Sequence, residues 1–409
     1  MVGILTGAWL ILMSAPALAQ ELSRDAATRQ GADRGPGVAI ARAPDASYRD
    51  ALSESGALLV HSPRGLATGG HRASSIGGGL EASVSLVQDI SLRGVAARRA
   101  DSAHALLAAT HADVSRARQA AAGRAAIAWS TAREAEELLA LRKASTLEAE
   151  TLARLAAARV TAGTGMPSEI AMAQGELALA NANELDGEGM LTEAMSELRF
   201  AMGLPPDAAI DPGGSLEAPK DPPLDGAAAL RTAFERSPLL PLAAARRDLA
   251  TSDAALAFAQ QAPTLGLGAS YTHEGTGDSI WSAIVAFPLP FANPGGYESA
   301  RQMGAASVAG RELELARADL ARMVALAVHE CQHTRETHAA LGRALAPLES
   351  AAEMARAQLE AGTSDATLLA FARQRLLAAR ERSLHAAAEI QRADTRLLLT
   401  VGDLLGDAP

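Results

Sequence analysis

The chain has 409 residues, a formal charge of −10 and 48% hydrophobic residues, but only 3% aromatic ones. That balance gives no basic stripe for nucleic acid, and so few aromatics leave a thick globular core little to fill it. One cysteine, Cys331, excludes an intrachain disulfide framework and any four-thiolate metal site.

Residues 1–19 read as a secretory signal peptide. An apolar run from Ile4 to Met13 is followed by Ala17-Leu18-Ala19, a small-residue cleavage pattern too short to span a membrane. No cysteine follows the cleavage point, so a lipid-anchored N-terminus is not expected. Residues 20–44 are polar and Gly-containing and read as an extended leader. Residues 45–203 form a first repeat unit. It opens with a short helix from Asp45, then a weak Gly/Ser-rich strand and a firmer strand at 81–90.

From Val95 to Ala162 there is no proline and one glycine, Gly123. At 1.5 Å per residue, a helix of roughly 65 residues reaches about 100 Å, and a helix that long needs equally long partners. Ala162-Gly163-Thr164 ends it, and a returning helix follows. The Pro/Gly-rich stretch 204–224 is a linker, and 225–409 is a second copy. There Ala361-Gly362-Thr363 recurs 199 residues after the first tripeptide, and Gly402 repeats Gly203.

The second copy shows its strands more clearly. Leu265, Leu267, Ala269 and Tyr271 alternate with Thr264, Gly266, Gly268 and Ser270, and Trp281, Ala283, Val285, Phe287 and Leu289 alternate likewise. Alternation over about 9–11 residues is the length and pattern of a transmembrane β-strand, although a soluble two-strand sheet on helices would also alternate. Tyr271, Trp281, Phe287, Phe291 and Tyr297 are five of the twelve aromatics in the chain; such clusters suit interfacial girdles. Four strands cannot close a membrane barrel, since about eight is the minimum, and open edges in lipid leave backbone groups unsatisfied. Other copies of the chain must therefore complete the wall; three would give twelve strands. The fold class expected is mainly α with a membrane β part, as two tandem helix–β-hairpin–long-helix repeats.

His329-Glu330-Cys331-Gln332-His333 matches the zinc-peptidase pattern HExxH, with two imidazoles four apart on one helix face and Glu330 as a base. His338 or Glu353 could supply a third ligand. Against this, the motif lies midway along a long helix without a second lobe. The equivalent segment of the first copy, Ser130 to Glu134, lacks the chemistry. Catalysis is not expected, and no cofactor is called for. A metal contact at His329 and His333 and a plain helix surface both stay open, as does a soluble periplasmic coiled-coil scaffold.

Three stretches, Pro263–Phe291, Ala361–Leu405 and Ala162–Leu185 with its ending Glu197–Leu204, resemble the outer-membrane efflux protein family, the TolC-like trimeric ducts of Gram-negative bacteria. They are similar in particular to its heavy-metal-type branch (CzcC/CusC-like). The resemblance implies a homotrimer with a twelve-stranded barrel in outer-membrane lipid and an α-helical barrel in the periplasm. It also implies a periplasmic adaptor protein, a proton-driven inner-membrane pump and substrates that include heavy-metal cations. It puts Gly163, Thr164, Gly362 and Thr363 at the tip that meets the adaptor. Many relatives carry an acidic constriction just inside that tip, whereas Met172 and Phe371 stand there in this chain. A hydrophobic, dewetting constriction is the expectation instead, with Glu169 and Asp365 as a cation-attracting mouth.

Overall fold

In the computed structural model, residues 21–57, 59, 62–73, 75, 77–216, 220–287 and 295–406 are described. The signal-peptide segment and Phe291 lie outside them. In chain order the elements are α1 (Arg24–Arg34), α2 (Pro36–Arg42), α3 (Asp45–Ser55), β1 (Arg64–Arg72), β2 (Gly79–Ile90), α4 (Val95–Thr161) and α5 (Pro167–Ala201). The second copy follows as α6 (Gly226–Arg236), α7 (Leu239–Ala259), β3 (Leu265–His273), β4 (Ser279–Ala286), α8 (Gly296–Glu360) and α9 (Ala366–Val401). Helix, two strands, a very long helix and a returning helix thus occur twice.

The chain divides into two compact units. One comprises residues up to 38, 118–236 and 323 onward; the other comprises 39–117 and 237–322. The first unit is helical and packs through small side chains. Ala121, Ala122, Ala125, Ala126 and Ala132 of α4 are buried, and each methyl removed from water is worth about 0.8 kcal/mol. Gly123 marks a close approach of α9, because a Cβ there would meet Leu399 Cδ2 at 2.8 Å. Trp129 is the one large aromatic in this core; its Nε1 donates to Leu22 O at 2.7 Å.

The leader departs from the expected extended segment. Residues 24–34 and 36–42 are helices, with Ala27 and Val38 fully buried. Ser23 caps α1 by accepting from Ala26 N. Gly31 is no helix breaker here: an added Cβ would sit 2.5 Å from Ala125 Cβ, so glycine lets α1 lie against α4. The linker is also held: Leu22 N, just before α1, donates to Asp211 O, and Gln391 Nε2 of α9 donates to Ser215 O.

The second unit holds one four-stranded antiparallel sheet in the order β1-β2-β3-β4. The firmer strand of the first copy starts at Gly79 and the weak one is a full nine-residue strand. A two-strand sheet per copy is therefore joined into one sheet by β2–β3 pairing. β3 and α7 belong to the same unit, and Ser102 of α4 donates to Asp253 of α7 at 2.5 Å.

Candidate functional site

Register decides what the sheet can do. Tyr271 pairs with Trp281 and Val84, Ala269 with Ala283 and Leu86, and Leu267 with Val285 and Gln88. Directly opposed residues share a face, so one face carries Leu80, Val84, Leu86, Leu267, Ala269, Tyr271, Trp281 and Val285. Most of these are exposed, Trp281 at 77%. Its ring lies 5.0 Å from that of Tyr271. Phe287 follows β4 directly and is exposed; six residues from Trp281, it lies about 20 Å along the strand direction.

The other face is rich in polar groups. Arg64 reaches Asp89 at 3.0 Å, Arg72 pairs with Glu81, and Thr68 and Ser83 share a hydrogen bond of 2.7 Å. Ser85, Ser270, Thr272 and Ser282 share the same parity, while Leu66, Val87, Ile280 and Ile284 are its apolar exceptions. β1 and β4 each have one side without a strand partner among the described residues. No helix among the described residues is long and apolar enough to cross a membrane; alternation, by contrast, is the membrane signal of a strand.

The tip turns are built alike. Gly163 has φ 75° and Gly362 has φ 73°, the left-handed conformation that glycine adopts without steric cost. Gly163 N donates to Val160 O and Thr164 N to Arg159 O; Gly362 N donates to Leu359 O and Thr363 N to Gln358 O. This bond pair is the Schellman helix end. Each threonine hydroxyl adds a bond to the same carbonyl as its own N–H, at 3.2 and 3.1 Å. Gly203 and Gly402 close α5 and α9 in the same way, so the 199-residue repeat is legible in the backbone itself.

Side chains distinguish the two turns. Arg159 Nη1 donates to Leu359 O at 3.0 Å, Nη2 to Thr164 O at 3.3 Å, and Nε faces Glu169 Oε2 at 3.4 Å. Arg159 thus connects one hairpin's turn to the other's. Glu169 is buried, and its other oxygen accepts from Met166 N at 3.2 Å, capping α5. Asp365 is exposed and caps α9 by accepting from Thr367 N and Leu368 N. Beneath the turns, Leu152, Ala156, Ala173, Ala355, Leu359, Ala366, Leu369 and Ala370 pack together. Met172 and Phe371 remain exposed, with the Arg375 guanidinium 5.1 Å above the Phe371 ring. Arg159 was not singled out from the sequence; the signal available was a basic residue four before a glycine helix end with an acid ten residues on.

The HExxH segment lies in the helical unit on α8. His329 and His333 are exposed, but the Glu330 carboxylate is held by Arg396 of α9. Arg396 also binds Glu389, which binds Arg392, which binds Glu134. Glu330 therefore ends a charge ladder across α8, α9 and α4. His338 is five residues past His333 and points off that face, and Glu353 is about 30 Å further along the helix. Neither can be a third ligand, and among the described residues no group of three or more His, Cys, Asp or Glu could hold a metal ion. Cys331 is buried; burial and the neighbouring Asp394 push its thiol up to about 12, which keeps it neutral.

Residues 229–403 match the family model described as outer membrane efflux protein. No curated protein matches the sequence. Among solved structures, a membrane protein from Pseudomonas aeruginosa is similar at 18% identity and TM-score 0.79, covering 93% of this chain and 90% of its own. CusC is similar at 15% identity and TM-score 0.78, covering 93% and 92%. The open-state MtrE outer membrane channel of Neisseria gonorrhoeae is similar at 18% identity and TM-score 0.75, covering 94% and 89%. The resemblance read from the sequence and the expected fold class are borne out: the chain has the subunit fold of the TolC-like outer-membrane channels. Fold and family model are those of channel proteins, not of known enzymes.

Proposed function

We propose that this protein is the outer-membrane channel of a tripartite efflux system, a passive exit duct loaded by an inner-membrane pump through a periplasmic adaptor. One observation carries the reading: a four-stranded sheet that is apolar on one face, polar on the other and, among the described residues, open at both edges. In lipid such edges cannot stay unpaired. Three copies joining β4 of one to β1 of the next make twelve strands, enough for a barrel with an aqueous lumen. Tyr271, Trp281 and Phe287 mark the girdles of that barrel; Phe291, also expected there, lies outside the described residues.

The test is extraction from outer-membrane fractions. A detergent-dependent trimer rich in sheet signal supports the duct; a water-soluble monomer sinks it. Export needs a cleaved signal peptide at residues 1–19, which N-terminal sequencing of the mature protein checks.

At the tip, Gly163, Thr164, Gly362 and Thr363 are exposed and form the adaptor-contact surface. Met172 and Phe371 form an apolar constriction above it, and Asp365 supplies negative charge at the mouth. Glu169, paired with Arg159, serves the turn rather than the mouth. Phe371→Ala should raise single-channel conductance; no change discards the constriction. Heavy-metal cations are the cargo class this reading favours, from the CusC-like branch. A deletion strain no more sensitive to divalent metals than its parent would remove that assignment.

A further inference from the structure

We propose that His329 and His333 form an open, two-imidazole contact site for divalent transition-metal cations, with Cu2+ held above Ni2+ and Zn2+. The site lies on α8 and stands apart from the duct reading, because it needs neither the sheet nor a second copy of the chain.

Four observations converge on it. The two imidazoles are one helical turn apart on an exposed face. Their ring centroids are 6.0 Å apart with planes only 17° from parallel, so both rings already lean the same way. Neither takes part in a hydrogen bond or ion pair among the described residues, whereas His111 is held by Asp45 and His385 by Glu134. Finally, exposed Glu336 stands two turns beyond His329 on the same face and adds negative charge that attracts a cation.

The geometry is close to what a metal requires. Metal–imidazole bonds of about 2.0–2.1 Å bring two ring centroids to about 5 Å in cis positions. Closing from 6.0 Å takes a small rotation of side chains that no partner restrains. Imidazole donors suit Cu, Ni and Zn, and a site this simple follows the Irving–Williams order, which puts Cu2+ first.

The same arrangement explains why the site is a contact and not a catalytic centre. Glu330, the base of the peptidase pattern, is engaged by Arg396. With only two protein donors, water fills the remaining positions and the ion exchanges readily.

The experiment is a Cu2+ titration of the full-length protein in detergent, followed by calorimetry and by electron paramagnetic resonance. One Cu2+ per chain with two nitrogen donors is expected. His329→Ala and His333→Ala should each weaken binding at least tenfold, and the double variant should lose little more, since both imidazoles serve one ion. His338→Ala, off that face, should leave affinity unchanged. Circular dichroism and trimer content should be unaltered in every variant. A double variant that keeps wild-type affinity and nitrogen count overturns the proposal, as does independent, additive loss in the two single variants.

Discussion

Replacing Arg159 by methionine keeps the bulk of the side chain and removes its charge and donors. Glu169 then keeps its bond from Met166 N but is left buried without a counter-charge, and removing one member of a buried ion pair costs about 3–5 kcal/mol. The Arg159–Glu169 contact is 3.4 Å long, and neither facing atom has a well-directed hydrogen bond. The low end, about 3 kcal/mol, therefore applies. The charged hydrogen bond onto Leu359 O adds about 1.5 kcal/mol to that. Only that share crosses from the first hairpin to the second. Its loss shifts the ratio of released to latched hairpins about tenfold per subunit.

Two assays separate the shares. Urea unfolding reads the total, and single-channel recording in planar bilayers reads hairpin release. Arg159→Met should lose stability and raise conductance or open time. Glu169→Gln keeps an oxygen for Met166 N and leaves the Arg159–Leu359 bond in place. It should lose stability with little change in conductance. Wild-type conductance in Arg159→Met, or equal conductance gains in both variants, refutes the latch.

Further outcomes follow from the sheet, the turns and the charge ladder. Val84→Arg puts a charge on the apolar face at a cost of about 2–4 kcal/mol near the bilayer midplane and should abolish outer-membrane trimer. Ser83→Arg, one residue away on the polar face, should leave trimer yield intact; equal yields would break the face assignment. An alanine Cβ at Gly362 meets nothing within 4 Å. Gly362→Ala should therefore cost only the left-handed backbone term, about 1–2 kcal/mol, read in the urea midpoint. For Glu389, burial pushes the carboxyl up, but hydrogen bonds from Arg396 and Arg392 outweigh it and hold the group below its ordinary 4.5. Its contribution is present above that value and lost as pH falls through the lowered one. The stability gap between wild type and Glu389→Gln should accordingly shrink in acid; a gap independent of pH contradicts this.

What was legible depended on whether the signal was local. Alternation at 265–271 and 281–287 gave strand parity, because period two is written residue by residue. The paired glycines gave both tip turns, because positive φ has few alternatives to glycine. The leader helices were not legible. The Gly-containing stretch 20–44 reads as extended, yet at Gly31 the missing Cβ is what lets a helix approach Ala125. That contact spans more than 90 residues of sequence, and no window of composition contains it. The role of Glu330 was hidden in the same way. Its motif lies within five residues, whereas Arg396, the group that occupies it, lies on another helix.

The two tip turns share a backbone but differ in what holds them, and the difference has a direction. Position 159 is arginine in the first copy and glutamine, Gln358, in the second; position 169 is glutamate in the first and leucine, Leu368, in the second. At the turns the first hairpin therefore carries its own ion pair and lends one bond to the second. The second lends nothing back through these positions, and α9 is capped by Asp365 from within. If one hairpin moves when the tip opens, moving α8–α9 breaks the Arg159 bond onto Leu359 O at the tip and, further from it, strains the contacts of Arg373 with Glu148 and of Arg142 with Glu381, but it leaves both caps and the Arg159–Glu169 pair in place. Unwinding the first hairpin would also expose a buried carboxylate. The packing beneath is mostly alanine, whose short side chains interlock little and resist sliding less than leucine would. Opening is cheapest where the second copy swings and the first stays, and the conductance split between the Arg159 and Glu169 variants reads that choice.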